Sequence, residues 1–232
     1  MRKYFPPLLI VALVGLFLFP SMAQAQDCNG YAATKKGMKM LLTSYDKGDQ
    51  QKPAGTTRYE ILNHSGNKVT GHVVSVDKKG KETVNTDYTI ECTGDATITD
   101  QMAIVKNQMA ANMKDPNTRT EVQGNNVVMP VVLTEGQNLP DSEIDIMIHS
   151  SISMTAKIKI HDRVVVGKET ITVPAGSFDC MIVSSVMETQ ILGNKKVTMK
   201  SWVAKGVGVV KEETYDKKGK IEKTLLLTEL SQ

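Results

Sequence analysis

The chain has 232 residues, 41% of them hydrophobic and 23% charged, with 28 Lys plus Arg against 25 Asp plus Glu. So even a balance builds no strongly basic face, so neither nucleic acid nor an anionic membrane surface is expected as a partner. The length suits one large β domain.

The N-terminus follows the three-part secretory plan. Basic Arg2 and Lys3 precede an apolar run from Leu8 to Phe19, and Pro20 leads to the small-residue site Ala23-Gln24-Ala25. The run holds roughly twelve residues, short of the about 20 that a membrane span needs. The expected organisation is a cleaved signal peptide over residues 1–25 and a single β-rich exported domain over 26–232, with no transmembrane span in the mature chain. Cys28 follows Gln26 and Asp27 rather than small apolar residues, which argues against lipid attachment.

Strand signals dominate the remainder. In chain order they predict strands over Met38–Tyr45, Thr57–Leu62, Lys68–Val76, Glu82–Cys92, Arg119–Val122 and Val127–Leu133. Further strands are predicted over Val164–Val173, Phe178–Thr189, Lys196–Ala204, Gly208–Tyr215 and Ile221–Leu230. The clearest alternation covers Ile144 to Ile160, where Ile144, Ile146, Ile148, Ala156 and Ile158 share one parity and Asp145, His149 and Lys157 hold the other. That run is about three times an ordinary strand, so it must bend, bulge or turn around Ser150 and Ser151.

A related phrase recurs as Asp46-Lys47-Gly48, Asp77-Lys78-Lys79-Gly80-Lys81 and Asp216-Lys217-Lys218-Gly219-Lys220. An Asp that bonds its own backbone, followed by a Gly able to take positive φ, predicts hairpin loops. One helix is predicted from Gln101 to about Met113, capped by Thr99 or Asp100 and ended before Pro116. Met102, Val105, Met109 and Met113 form an apolar stripe that needs a sheet to cover. The fold class is therefore mainly β: a large curved antiparallel sheet, half-open barrel or sandwich, with one helix packed on the concave face.

Catalytic and metal-binding signatures are not found. His64, His72, His149 and His161 are scattered, and no G-x-S-x-G, P-loop or G-x-G-x-x-G motif occurs. Glu212 and Glu213 are neighbours on a strand and point to opposite faces, so they do not form a carboxylate pair. No catalytic residue, cofactor or metal is expected. Of three cysteines, Cys180 lies in apolar alternation with Phe178 and Ile182 and reads as a buried thiol. Cys28 and Cys92 are left as the expected disulfide.

Val173-Pro174-Ala175-Gly176-Ser177-Phe178 resembles the V-P-A-G-[ST]-[FY] corner of a domain-of-unknown-function family of exported bacterial proteins. Trp202-Val203-Ala204-Lys205-Gly206-Val207-Gly208-Val209-Val210-Lys211-Glu212-Glu213 resembles the same family's W-x-A-x-G-V-G-x-V-[KR]-x-E ending, with Val203 where an aromatic is common. The resemblance implies a fold similar to the periplasmic lipoprotein-carrier superfamily and a periplasmic or outer-membrane-associated location; it implies no reaction. The expected function is a noncatalytic cell-envelope protein that binds an apolar ligand, a lipid or acyl chain, in a β-sheet cavity faced by Met102, Val105, Met109 and Met113. The alternative is a structural or protein-interaction module with a packed interior, whose partner is another envelope protein.

Overall fold

A computed structural model describes residues 28–47, 49–112, 118–149, 153–190 and 193–232. The predicted signal segment, Met113 and Ser150–Ser151 lie outside them. The described residues form thirteen strands and one helix in the order β1 (Lys39–Asp46), β2 (Pro53–Ser65), β3 (Lys68–Asp77), β4 (Glu82–Cys92), β5 (Ala96–Thr99), α1 (Gln101–Asn112), β6 (Arg119–Gly124) and β7 (Val127–Pro130). β8 (Ser142–His149), β9 (Met154–Val173), β10 (Gly176–Gln190), β11 (Asn194–Ala204), β12 (Gly208–Tyr215) and β13 (Ile221–Ser231) follow.

All thirteen belong to one antiparallel sheet with the order β6-β8-β9-β10-β11-β12-β13-β1-β2-β3-β4-β5-β7. Most neighbours are consecutive in sequence because most connections are tight hairpins. Two of the predicted Asp-Lys-Lys-Gly-Lys loops share one geometry: Asp77 Oδ1 accepts the N–H groups of Lys79 (2.8 Å) and Lys81 (2.9 Å), and Asp216 Oδ1 those of Lys218 (2.7 Å) and Lys220 (2.9 Å). Gly80 and Gly219 then take φ of 78° and 74°, a region that a Cβ disfavours. So many twisted strands cannot stay flat, and the sheet curls until its inner face covers itself.

The Ile144 to Ile160 run is a hairpin. β8 ends at His149, β9 begins at Met154, and the two pair with Ile148 opposite Met154, Ile146 opposite Ala156 and Ile144 opposite Ile158. Ile144, Ile146 and Ala156 are buried, while Lys157 sits on the other face, paired with Glu143 (2.6 Å) and Asp145 (3.2 Å). β9 then continues through the gap that periodicity leaves at His161–Arg163, because register shifts against β10 absorb the irregularity and Asp162 takes φ of 51°. The expected strand over Val127–Leu133 stops at Pro130, since Val131 N–H turns to the carbonyl of Asp95 (2.8 Å). β5 is an element that periodicity did not signal; its four residues are a strand because β4 and β7 pair with them on either side.

The tip of the β9–β10 hairpin is the Val173-Pro174-Ala175-Gly176 corner, and Ala175 N–H reaches back to the Leu227 carbonyl of β13 (3.3 Å). Trp202 is buried beneath this hairpin on the opposite face from Ser201, its Nε1–H donating to Glu169 Oε2 (2.8 Å) and its ring under Lys211 Nζ at 4.3 Å.

Two devices close the curl. Helix α1 starts at Asp100, whose Oδ1 accepts the N–H groups of Met102 (3.0 Å) and Ala103 (3.5 Å). It packs on β6, the first strand of the sheet order, and on β4, the third from its other end. The second device is Arg163 of β9, 5% exposed, whose Nη1 donates to the carbonyls of Val128 on edge strand β7 (3.1 Å) and of Pro140 (2.5 Å). Burial pushes this guanidinium below its ordinary pKa, and Asp141 opposes the shift. Replacing Arg163 with Met keeps the stem but removes the buried donor that two carbonyls share. The expected loss is about 2–4 kcal/mol in denaturant unfolding; a variant within experimental error of the parent would show that the seam does not depend on this residue.

Candidate ligand-binding site

Alternation along the strands sends Met40, Leu42, Tyr59, Tyr88, Glu212 and Leu225 to the inner face of the curl, and helix α1 roofs part of it. Packing does not fill this space. Three adjoining chambers remain, of about 390, 390 and 310 Å³, and Tyr59 belongs to the wall of each. The first is mainly polar, with Ser44, Thr57, Ser75, Glu212 and Lys223 around it, and it meets the helix at Ile104 and Gln108. The second lies between Tyr31, Tyr88, Ile104, Val105, Met129 and Val209. The third is also largely apolar: Met40, Leu42, Ile90, Val209 and Leu225 with the two tyrosines and a single charged group, Glu212.

Tyr59 and Tyr88 meet edge to face, with centroids 5.8 Å apart at 90°. The ring of Tyr88 lies over Gly71, its cross-strand partner, where a Cβ would come within 2.4 Å of ring carbon Cζ. Glycine at 71 is thus the space in which this wall stands. Burial, with the charge of Glu212 adding to it, pushes the Tyr59 hydroxyl up to about 12, so it remains a neutral donor. Burial also raises the pKa of Glu212, against the Ser201 hydroxyl (2.8 Å) and the charge of Lys223, which favour its ionised form. Glu212 is half-buried and lines two of the chambers. Its neighbour Glu213 is on the other face, bonded to Lys211 Nζ (2.8 Å) and the Tyr215 hydroxyl.

The helix residues singled out from sequence are divided by the structure. Val105 lines the second chamber and also packs, with Met109, on the Ile144–Ile146–Ala156 cluster. Met109 borders none of the three chambers; Met102 is half-buried in the first turn and borders none either. Met113 lies outside the described residues. Ile104, one step round the helix, is the residue that faces two chambers and packs on the main core. The adjacency of Ile104 and Val105 on a helix wedged between two clusters hid this from a stripe argument. Glu212 was seen in sequence only as half of a non-pair.

Cys28 and Cys92 form a disulfide with Cα atoms 5.4 Å apart, and Cys180 is a buried free thiol whose pKa burial pushes up to about 11. The bridge fixes the segment that carries Tyr31, Ala32 and Ala33 into the chamber walls. His64 brings a ring nitrogen within 4.8 Å of both sulfurs, but sulfurs bonded to each other offer no thiolate to a metal. The other histidines sit beside carboxylates, as His72 with Asp87 (2.7 Å) and His161 with Glu188 (3.3 Å). Among the described residues no helix is long and apolar enough to cross a membrane.

Residues 35–227 match the family model described as DUF3108-like. The chain belongs to the DUF3108-like family. This is a family of the class that the Val173–Phe178 and Trp202–Glu213 motifs implied. A search of curated proteins finds no match. Among solved structures, a protein described as exported with a YmcC-like fold from Bacteroides fragilis NCTC 9343 has a TM-score of 0.70 at 18% identity, over 88% of this chain and 100% of its own. A protein described as a lipoprotein from Parabacteroides distasonis ATCC 8503 has 0.69 at 21% identity, over 89% and 100%. At these identities the likeness establishes the fold: the curled sheet is shared along the full length of both.

Two outcomes follow from the walls. Gly71→Ala should displace Tyr88 and cost about 1–3 kcal/mol, read in chemical unfolding; an unchanged midpoint would mean that the ring has room to move. For Glu212, a folded-state pKa above the unfolded value of about 4.3 makes the protein relatively most stable below that value, with stability lost as pH rises through the folded pKa. Glu212→Gln should therefore raise the melting temperature near neutral pH and converge with the parent below about pH 4. A gap between the two that stays constant with pH would contradict this.

Proposed function

We propose that this chain is a noncatalytic cell-envelope protein, periplasmic or outer-membrane-associated, that binds an apolar ligand inside its curled sheet. The observation that carries the reading is the set of three adjoining chambers on the inner face, two of them with largely apolar side-chain walls, sharing Tyr59 and partly roofed by α1. Each is within the lower range of small-molecule sites, and together they suit an elongated guest such as a lipid or acyl chain. Binding asks only for what is present: volume, greasy walls and a polar end. The secretory pattern of residues 1–25 and the exported and lipoprotein descriptions of the two fold neighbours support the compartment.

The experiment is uptake of an uncharged fluorescent apolar probe by the purified protein. Saturable uptake is expected, and Ile104→Trp, which pushes an indole from the helix into two chambers, should weaken it at least about tenfold. Met109→Ala should leave uptake intact while lowering stability by about 2 kcal/mol, since Met109 packs on the Ile144 cluster rather than on the chambers. No saturable uptake by the unaltered protein would favour an interaction module with a closed interior.

A further inference from the structure

We propose that the Tyr59–Tyr88 chamber recognises a ligand with a protonated amine at the end of an apolar chain, the ammonium resting against Glu212. This deepens the apolar-ligand reading and rests on it. The chamber of about 310 Å³ is walled by Met40, Leu42, Ile90 and Leu225, and among the described residues Glu212 is its sole charged side chain. An ionised carboxylate has room for about four hydrogen bonds. Among the described residues Glu212 takes its hydrogen bond from Ser201 Oγ at 2.8 Å. Lys223 of β13 lines the neighbouring polar chamber and not this one, and it acts on Glu212 through charge without a contact bond.

A carboxylate facing an apolar space is unfavourable unless paired, and among the described residues no cationic side chain lines this chamber. A ligand ammonium would complete it. The aromatic walls favour the same charge: Tyr59 and Tyr88 both border the chamber, and ring faces attract cations. An anionic head would meet the opposite arrangement, a carboxylate with neutral hydroxyl donors, those of Tyr59, Tyr88 and Thr99, on the residues around it. Burial raises the pKa of Glu212, and an ammonium beside it would act the other way, because a cation stabilises the ionised form.

Titration calorimetry with three ligands of one chain length, decylammonium, decanol and decanoate, separates chain from head group. The unaltered protein should bind decylammonium at least about tenfold more tightly than decanol and decanoate more weakly than either. Glu212→Gln, close to isosteric, should abolish the ammonium preference and leave decanol binding within about twofold. Equal affinities for the three, tighter binding of decanoate, or an ammonium preference that survives Glu212→Gln would overturn the head-group assignment while leaving the apolar chamber standing. Failure of the unaltered protein to bind any of the three would overturn both. The three-ligand comparison on the unaltered protein decides regardless of how the variant folds.

Discussion

Helix α1 sits where the two ends of a very wide sheet approach each other. Asn107 Oδ1 accepts the backbone N–H of Asn85 (2.9 Å) on the stretch of β4 that β5 does not reach, and Val105 and Met109 press on the Ile144–Ile146–Ala156 cluster from β8 and β9. One short element thus satisfies a strand edge at one end and covers an apolar patch at the other. An unpaired edge in a sheet of this width is a site for pairing with other chains, so the helix answers a problem that the sheet itself creates. Its own persistence depends on the same contacts, because twelve residues are marginal as an isolated helix.

With the curl held, the inner face has a fixed perimeter, and what lines it is decided by strand parity. Large residues fill most of it, but the middle is bounded by Tyr59 and Tyr88, whose rings meet edge to face, that of Tyr88 lying over Gly71. The space left is divided into one polar and two greasier chambers, and Glu212 belongs to both kinds. The N-terminal segment, tied down by the Cys28–Cys92 bridge, and the Gly206 turn, whose N–H bonds the Gly30 carbonyl at 2.8 Å, complete the wall.

The opposite face is handled separately. There the β9–β10 hairpin folds its Pro-Gly tip against β13, and Trp202 is held between Glu169 and Lys211. The Val173–Phe178 corner serves this outer packing, whereas the Trp202–Glu213 stretch serves both faces, with Trp202 and Lys211 on the outer one and Val209 and Glu212 in the chamber walls.

Local chemistry was enough for much of the architecture. Glu82–Cys92 and Gly208–Tyr215 are strands with the limits that the sequence predicts, since each begins beside a turn whose Asp or Gly acts within a few residues. The inward parity of Ile144, Ile146 and Ala156 was equally legible. Whether that run turned was not, because residues paired across a hairpin share a face and the alternation continues unbroken through the reversal. β5 could not be read from four residues whose strand character comes from partners on both sides, and Arg163 carried no sign of the carbonyls it joins. The chambers belong wholly to tertiary structure. Sequence alone placed Glu212 on one face of a strand; only the closing of the sheet brought that face opposite Tyr59 and Leu42 and removed the water that would otherwise have made it an ordinary carboxylate.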